Sequence, residues 1–438
     1  MLIDSAKETV LLEGDTLLVL TKHYPFNDGN TPAESYLETE MRYLAARFVS
    51  VVVVATEAAF GAHQIQETPA NVKVFPLGFP QTRLEKTLCL VRGILQAPFS
   101  KISAEAANSD SNLNAKQLLF QRYYIGKALR KQAALRRLLD EASINPTQIY
   151  SFWFHDTALV ACWLKCEYHC SRVVARAHRY DLYHARTRYG HLPCREYQLE
   201  GLDAVIPCSE DGSAYLKGIY PDFAWKVRTG YLGTRWLPDK SIESRGVVFR
   251  IVSCSAVTGV KRVVLMADAL AILDGRDIAI EWTHFGDGPE LGSVKARVQG
   301  FRDIRCRFPG SVPNAELLNE YGKRHYDLFV NVSSSEGLPI SIMEASGHGI
   351  PVLATDVGGT HEIVLDGVNG KLLPESCDAE TVANAVLSFI EAGDEDYASM
   401  RLAARKQWNN LFQTKQNVAI LLNELLPSPE PQTGELIE

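Results

Sequence analysis

Short apolar runs rich in β-branched residues recur along the chain and alternate with longer segments in which apolar residues follow a helical period. Such runs, bounded by Gly, Pro, Asn or Asp, are typical of buried strands. Strict alternation of strand and helix is typical of a doubly wound parallel α/β sheet. The pattern predicts strands at 16–21, 51–56, 72–76, 148–154, 172–176, 203–207, 227–232, 249–253, 278–285, 306–309, 328–332 and 350–355.

The alternation occurs twice, once on each side of a polar, proline-containing segment at 234–245. A chain of 438 residues is too long for one typical hydrophobic core, so two domains are expected. The sequence therefore predicts a Rossmann-like domain over 1–235, a second one over 246–412, and a terminal helix with a disordered tail over 413–438.

Composition narrows the class of protein. The net charge of −7 argues against nucleic-acid binding. No run approaches the roughly twenty apolar residues of a membrane span, and the acidic N-terminus lacks the pattern of a signal peptide, so a cytoplasmic protein is expected. The nine cysteines are odd in number and are expected to be reduced thiols. On one helix Cys162 and Cys170 would lie ~12 Å apart, too far to share a zinc ion, so no metal site is predicted.

The most informative stretch is Tyr326–Glu362, YDLFVNVSSSEGLPISIMEASGHGIPVLATDVGGTHE. It predicts a buried strand, a glycine-bearing turn, a helix beginning at Pro339, a second strand and a second glycine turn. Glu336 falls on the first turn and Glu344 on the helix. Ligands of open α/β sheets bind outside the carboxyl ends of the strands, and a helix N-terminus favours phosphate. One carboxylate could therefore bind a sugar and the other a ribose, with a diphosphate between them.

The spacing Glu336-x7-Glu344, within SEGLPISIMEA and followed by GIPVLATDVGGTHE, resembles the donor-binding signature of family 4 retaining glycosyltransferases. These enzymes have the GT-B fold, in which two Rossmann-like domains face each other across a cleft. The resemblance implies transfer of a sugar, with retention and without a metal or cofactor, from a UDP-, GDP- or ADP-sugar to a carbohydrate or lipid-linked glycan acceptor. It is of the kind found in bacterial exopolysaccharide, capsule and lipopolysaccharide biosynthesis.

The resemblance also implies roles for individual residues. Glu344 would hold the ribose and Glu336 would orient the donor sugar. Lys261, with Arg262, would bind the diphosphate together with the turn at Gly337, Leu338 and Pro339. Two cations in the first turn of a helix predicted at 260–273 are unfavourable unless an anion binds there. Ala256 stands where the family usually has an arginine. Either Arg262 compensates for that loss, or donor binding and leaving-group stabilisation are weaker.

Two segments of the first half also resemble the family. The loop after the first strand, HYPFNDGN, carries Gly29, which the resemblance implies binds the donor. It is followed by Glu34, shifted by an insertion; an ordinary strand–helix turn is the alternative. The segment from His178 to Tyr183 matches the H-x-x-D-x-Y stretch whose histidine lies near the reacting sugar. His178 follows a predicted strand, so we expect it to contact the substrate from the facing domain.

The segment Arg122–Ala142 predicts an amphipathic helix with an apolar stripe and several cations. Its basic face could contact an anionic membrane on the inner side of the cell, which would make the protein peripheral to that membrane. A solvated helix is the alternative. The stripe consists of Ile125, Leu129, Leu135, Leu138 and Leu139, and the cations are Lys127, Arg130, Lys131, Arg136 and Arg137.

Three other interpretations of the sequence remain. A same-fold nucleotide-sugar 2-epimerase would release product without an acceptor, and a non-catalytic subunit would bind the donor without turnover. The interpretation as a nicotinamide-dependent enzyme has only the Gly286-x-Gly288 spacing to support it, and these glycines do not follow the first strand of the chain. That turn, GDGP, resembles a structural turn of the glycosyltransferases. The D-x-D at 394–396 is interpreted as solvated surface rather than as a metal site.

Overall fold

A computed structural model describes residues 15–27, 34–79, 82–96, 105, 113–235 and 246–426. The described residues form two compact units. The first comprises those up to 208, at 212–230 and from 418 onwards, and the second comprises 209–211 and 231–417. The predicted linker at 234–245 lies mainly outside the described residues.

The first unit is built on a parallel sheet in the order β5-β3-β1-β6-β7-β8. Two further short strands, β2 and β4, pair antiparallel. The strands are β1 (Thr16–Thr21), β2 (Phe26–Asn27), β3 (Ser50–Ala55), β4 (His63–Gln64), β5 (Val72–Pro76), β6 (Gln148–Ser151), β7 (Arg172–Ala177) and β8 (Ala204–Pro207).

Helices connect these strands. They are α1 (Ser35–Arg47), α2 (Arg83–Gln96), α3 (Ala115–Glu141), α4 (Asp156–Tyr168), α5 (Arg179–Leu182), α6 (Arg195–Gly201) and α7 (Glu210–Ile219). Short 3₁₀ turns occupy His184–Arg186, Arg188–Gly190 and Pro221–Lys226. In the described part of the chain, no helix has both the length and the apolar content that crossing a membrane requires.

The second unit is built on a parallel sheet in the order β11-β10-β9-β12-β13-β14. Its strands are β9 (Phe249–Cys254), β10 (Ile280–Phe285), β11 (Ile304–Gly310), β12 (Leu328–Asn331), β13 (Val352–Thr355) and β14 (Gly370–Leu373). Its helices are α8 (Val263–Leu273), α9 (Leu291–Val298), α10 (Asn314–Lys323), α11 (Ile340–Gly347), α12 (Thr360–Ile363), α13 (Ala379–Ile390) and α14 (Asp394–Leu411), after which α15 (Thr414–Leu425) begins.

Both sheets have the same topology. Counted from the first strand of each unit, the order is 3-2-1-4-5-6, which is the order of the Rossmann fold. The prediction of two Rossmann-like domains is therefore confirmed. In the second sheet the winding reverses between β9 and β12, so the crevice outside the carboxyl ends of these two strands is where a ligand is expected.

The sheet of the first unit has a core on each face because successive side chains of a strand point in opposite directions. Leu18 and Leu20 of β1 pack on the side of α3 and α4. Leu17 and Val19 pack on the other side, where Leu421 and Leu425 of α15 complete the core. The part of α15 from residue 418 onwards therefore belongs to the first unit.

The prediction for two segments was wrong. The segment 227–232 is not a strand. Val227 makes a single bridge to Val205, and the amides of Arg228 and Gly230 donate to the carbonyls of Val205 and Pro207 without forming a regular ladder. Conversely, β14 was missed, since its short GKLL sequence carries little apolar signal, and pairing with β13 supplies what its composition lacks.

The amphipathic helix α3 is present, but the prediction of its basic face is wrong in part, because two of the predicted surface cations are buried. Lys131 is 1% exposed, and its ammonium lies 3.0 Å from Glu57 and 2.7 Å from Asp156. Lys127 is also buried and binds the same two carboxylates. Buried charges persist in a protein when they are paired, and here partners distant in sequence turn two predicted surface cations inward.

The other cations of α3 are more exposed. Arg130 lies 2.8 Å from Glu85 of α2, and Arg136 lies 3.3 Å from Glu167. Four of the five predicted cations therefore have carboxylate partners in the first unit. Membrane contact through this helix stays a prediction, with less free charge to support it.

Candidate functional site

An ion pair lies at the carboxyl ends of the two central strands of the second sheet. Lys261 follows β9 and Glu336 follows β12, and the Lys261 Nζ is 2.6 Å from the Glu336 Oε1. Asn331, the last residue of β12, donates to the same carboxylate at 3.3 Å. The pair is partly accessible, because the side chain of Lys261 is 28% exposed and that of Glu336 is 8% exposed. An ammonium and a carboxylate thus meet at the point where the topology predicts a ligand.

The turn that carries Glu336 is fixed by the second glycine turn. The amide of Gly359 donates to the carbonyl of Gly337 at 2.7 Å. Gly358 has a φ of 55°, and a Cβ there would lie 2.2 Å from the carbonyl oxygen of Glu336. A larger residue at 358 would push the two turns apart, so the glycine keeps Glu336 in place.

Helix α11 follows this turn and points its N-terminus at the same region. Pro339 is its N-cap residue, so the helix begins at Ile340, one residue after the predicted start. The first amides of a helix lack intrahelical acceptors, and they favour negative charge together with the helix dipole. The turn at Gly337 and Leu338 therefore leads into an anion-favouring helix end, next to Lys261 and Glu336.

Glu344 is buried in α11 and receives one hydrogen bond. Asn314, the first residue of α10, donates to its Oε1 at 2.6 Å. Burial raises the pKa of Glu344 to about 7, while the bond from Asn314 acts in the opposite direction. When it is ionised, this carboxylate can accept further hydrogen bonds from the hydroxyl groups of a bound polyol.

The structure places Lys261 and Arg262 differently from the prediction. Helix α8 begins at Val263, so neither cation lies in its first turn, and Arg262 is the N-cap residue with a φ of 48°. The guanidinium of Arg262 donates to the carbonyls of Val332 at 2.6 Å and Glu375 at 2.7 Å. These bonds hold the end of β12 to α8. The predicted contact of Arg262 with a diphosphate stays a prediction.

Ala256 is exposed in the loop after β9. The GDGP turn holds this loop, because the amide of Val257 donates to the carbonyl of Asp287 at 2.9 Å. A Cβ at Gly286 would lie 1.9 Å from the carbonyl oxygen of Ser255. Close packing of the two turns explains the glycine without a dinucleotide, in keeping with the structural interpretation of GDGP.

In the first unit His178 follows β7 and lies in an aromatic pocket. Its ring centroid is 4.5 Å from that of Trp153 and 4.9 Å from that of Phe152. Burial lowers its pKa well below the usual value, and the cations Arg176 and Lys22 act in the same direction. Among the described residues, neither ring nitrogen has a hydrogen-bond partner. The imidazole is therefore neutral and has unused hydrogen-bonding capacity.

Asp181 orients the segment after His178. Its carboxylate accepts from the amides of His178 at 2.6 Å and Phe154 at 2.8 Å. Burial raises its pKa to about 6, although both amides act in the opposite direction. The H-x-x-D spacing thus has a structural reason, since the aspartate ties the end of β7 to the end of β6.

Glu34 has a structural role at the end of β1. Its carboxylate accepts from the amides of His23 at 2.8 Å and Tyr24 at 2.7 Å, and from the indole of Trp153. These bonds fix the loop that follows β1. Gly29, predicted to bind the donor, lies outside the described residues.

Sequence reasoning missed three polar residues at these sites. Asn331 and Asn314 bind the two glutamates, and Lys22 has its Nζ 4.3 Å from the ring centroid of Tyr180 and 4.8 Å from that of Trp153. Asn331 and Lys22 each end or follow an apolar strand, and a polar residue in that position is a signal that could have identified both. Asn314 has no comparable signal.

Comparison with known proteins relates this geometry to a family. Residues 249–392 match the family described as "Glycosyl transferases group 1". The chain is 25% identical over 213 residues to the putative colanic acid biosynthesis glycosyltransferase WcaL of Salmonella typhimurium, covering 47% of this chain and 52% of that protein. It is 28% identical over 168 residues to the amylovoran biosynthesis glycosyltransferase AmsK of Erwinia amylovora, covering 37% and 41%. The chain thus spans about half the length of the curated relatives it matches.

Solved structures share the fold over almost the whole chain. A glycosyltransferase from Rickettsia africae has a TM-score of 0.61 and 14% identity, covering 95% of this chain and all of that one. HepE of Anabaena, solved with UDP and glucose, has a TM-score of 0.61 and 15% identity, covering 94% and 99%. These neighbours have the GT-B fold, and the predicted fold class is confirmed. Lys261 and Glu336 both lie inside the region that matches the family described as "Glycosyl transferases group 1".

Proposed function

We propose that this chain transfers a sugar from a nucleotide-diphosphate sugar to a carbohydrate or lipid-linked glycan acceptor, with retention at the anomeric carbon. The observation that supports this most is the Lys261–Glu336 pair at the switch point of the second sheet, 2.6 Å apart beside the N-terminus of α11. The relatives named for colanic acid and amylovoran biosynthesis, and the neighbour solved with UDP and glucose, favour the same substrate class.

The proposed chemistry follows from where charge develops. When the bond between the anomeric carbon and the phosphate oxygen breaks, negative charge builds on the departing diphosphate. Lys261 and the amides at the start of α11 are fixed donors near such a group, and fixed donors lower a barrier more than mobile ones do. In this proposal the diphosphate displaces Glu336 from the ammonium of Lys261, and the carboxylate of Glu336 then orients the donor sugar.

The other residues have separate roles in the proposal. Glu344, with a pKa near 7, accepts from the ribose hydroxyls. His178 contacts the reacting sugar, since neither of its ring nitrogens has a hydrogen-bond partner among the described residues. Lys261 supplies the positive charge that a divalent ion supplies in other transferases, so the reaction is proposed to need no metal and no cofactor.

A screen of UDP-, GDP- and ADP-sugars by thermal shift tests the donor site directly. At least one nucleotide class is expected to raise the melting temperature of the full chain, and Glu336→Ala and Glu344→Ala should each reduce that rise. Release of the nucleotide from the stabilising donor is then followed with and without EDTA. Equal rates are expected, and a strict requirement for a divalent ion would contradict the metal-independent mechanism.

A non-catalytic donor-binding subunit is the second candidate, because Ala256 is exposed where the resemblance implies an arginine. The same screen distinguishes the two functions. Binding of a donor without release of nucleotide, with acceptor glycans present, would favour the subunit. Release of nucleotide together with a glycosylated product would establish the transferase.

A further inference from the structure

Four side chains gather outside the carboxyl ends of the central strands of the first sheet. Lys22 follows β1, Trp153 follows β6, and His178 and Tyr180 follow β7. In this sheet the winding reverses between β1 and β6, as it does between β9 and β12 in the second sheet. Open α/β sheets bind ligands in the crevice at such a point, so the first unit has a candidate ligand site of its own.

The ammonium of Lys22 lies against two aromatic rings. Its Nζ is 4.3 Å from the ring centroid of Tyr180 and 4.8 Å from that of Trp153, and the two ring centroids are 5.1 Å apart. Aromatic rings at these distances attract a cation, but they do not replace hydrogen-bond acceptors for its three N–H groups. In the described part of the chain, this nitrogen has neither a hydrogen-bond acceptor nor a carboxylate partner.

The carboxylates of this region are already bound by other groups. Two of them bind the ammoniums of the buried ion cluster, and the other two accept from backbone amides after β1 and β7. The first two are Glu57 and Asp156, and the others are Glu34 and Asp181. Burial lowers the pKa of Lys22, and the charges of Glu57 and Asp156 act in the opposite direction. The charged form of Lys22 is therefore incompletely compensated by the described residues, and a bound anion would compensate it.

His178 contacts the same tryptophan. The ring centroids of His178 and Trp153 are 4.5 Å apart. The imidazole is 7% exposed, and among the described residues neither of its nitrogens has a hydrogen-bond partner. Tyr180, on the other side of the lysine, is 38% exposed. Two polar groups with unused hydrogen-bonding capacity thus lie beside aromatic rings that are open to solvent on one side.

We propose that Lys22 binds an anionic group of the acceptor, while the rings of Trp153 and Tyr180 pack on the face of an acceptor sugar. This inference rests on the proposed glycosyl transfer and names the class of its acceptor, which is an acidic glycan or a lipid-linked diphosphate rather than a neutral sugar. Aromatic walls with a few polar groups that fix orientation are typical of small-molecule sites. A neutral acceptor would leave the ammonium desolvated and unpaired, and sites of this kind discriminate strongly against such a ligand.

Titrations of the full chain with three probes, followed by NMR of the probe, test the proposal. Methyl β-D-glucuronide and methyl β-D-glucoside differ in one carboxylate, and farnesyl diphosphate represents a lipid-linked acceptor. The glucuronide is expected to bind at least about tenfold more tightly than the glucoside, which is the effect of one charged hydrogen bond. If only farnesyl diphosphate binds through Lys22, the anion is the diphosphate of a lipid-linked acceptor.

Variants of Lys22 show whether the binding depends on its charge. Lys22→Met should weaken binding of the preferred anion at least about tenfold, and Lys22→Arg should restore most of it. Lys73→Met is the matched control, because Lys73 is an exposed residue of β5 in the same sheet, and it should bind the anion like the parent protein. The melting temperature of Lys22→Met should equal or exceed that of the parent, because the variant removes a partly desolvated cation.

Equal affinity for the glucuronide and the glucoside, with diphosphate binding that Lys22→Met leaves unchanged, would overturn the proposal. So would a lower melting temperature of Lys22→Met without any change in affinity, since Lys22 would then belong to the structural ion cluster. The nucleotide-sugar screen separates this inference from the proposed function. A parent that a nucleotide sugar stabilises, but that binds no anion through Lys22, keeps its donor site and loses this acceptor class. Anion binding through Lys22 in a parent that no nucleotide sugar stabilises would instead contradict the glycosyl transfer.

Discussion

The ammonium of Lys261 lies 2.6 Å from Oε1 of Glu336, although the two residues are 75 positions apart in the sequence. The pair joins the loops after β9 and β12, which are neighbours in the second sheet. Each side chain neutralises the other. A diphosphate sugar can replace both halves of this interaction, with phosphate on the amine and sugar hydroxyls on the carboxylate.

Lys261→Ala and Glu336→Ala should each lower the turnover of donor by about 10²–10³-fold, because each removes a fixed group near the charge that develops in the transition state. The free energy of unfolding should change by only about 1 kcal/mol, since the pair is partly exposed. Nucleotide release and chemical denaturation measure the two effects.

Arg297→Ala is the matched control for this pair of variants. It breaks an ion pair of 2.7 Å with Asp268 in the same unit, and both side chains are 43% exposed. Turnover should be unchanged. Parental turnover in both site variants would show that the pair has no part in the reaction.

Glu344 should make the stability and the ligand affinity depend on pH in opposite ways. Its folded pKa of about 7 is above the ordinary value of 4.5, so the folded state holds a proton that the unfolded state releases between these values. Stability from this group is therefore lost as the pH rises from about 5 to 7. Glu344→Gln should raise the free energy of unfolding at pH 8 by up to about 3 kcal/mol relative to the parent, and should change it little at pH 5.

The affinity for nucleotide should change in the other direction. Ribose hydroxyls donate to the ionised carboxylate, so the parent should bind the stabilising nucleotide more tightly at pH 8 than at pH 6, and Glu344→Gln should remove this dependence. Calorimetric titration at the two pH values measures it. An affinity of the parent that does not vary with pH would separate Glu344 from the ribose.

The buried ion cluster of the first unit should dominate the stability of α3. Lys131→Met removes one ammonium and leaves Glu57 and Asp156 buried with less compensation, which should cost about 3–5 kcal/mol. Arg137→Met, on an exposed position of the same helix, should cost less than about 0.5 kcal/mol. Urea denaturation compares the two. Similar stabilities would mean that Lys131 is not the buried partner that the structure shows.

The local sequence pattern was sufficient to predict several strands and the start of one helix. The apolar runs that became β1, β3 and β9 are continuous enough to read as buried strands, and the glycine turn with Pro339 identified the start of α11 to within one residue. Spacing and resemblance identified Lys261 and Glu336, which the structure brings together.

Contacts between residues that are distant in sequence explain the features that the sequence did not predict. Nothing near Lys131 in the sequence indicates that Glu57 and Asp156 will surround it, and an exposed basic face, in contact with a membrane or with solvent, was therefore expected. The same holds for Asn314, whose contact with Glu344 exists only once α10 and α11 are packed. Arg262 was expected in a helical turn, but it is the N-cap residue with a φ of 48°, and its guanidinium donates to the carbonyls of Val332 and Glu375.

Ala256→Arg tests whether the donor site lacks one cation. The side chain of residue 256 is exposed, and the backbone of its loop is held by the amide of Val257, so an arginine fits without disturbing the turn. One added charged hydrogen bond to a phosphate contributes about 1.5–3 kcal/mol, so the affinity for the nucleotide diphosphate should rise at least about tenfold.

The change in turnover shows which step the arginine assists. A rise in kcat together with tighter binding would mean that the arginine stabilises the departing diphosphate in the transition state. Tighter binding with an unchanged kcat would mean that it stabilises the bound donor and the transition state equally. Ala256→Lys is the control, since an ammonium supplies charge without the forked geometry that binds two phosphate oxygens, and its effect should be smaller. Unchanged or weaker nucleotide binding in Ala256→Arg would place residue 256 away from the diphosphate, and would remove the argument that this chain is a donor-binding subunit impaired by a missing arginine.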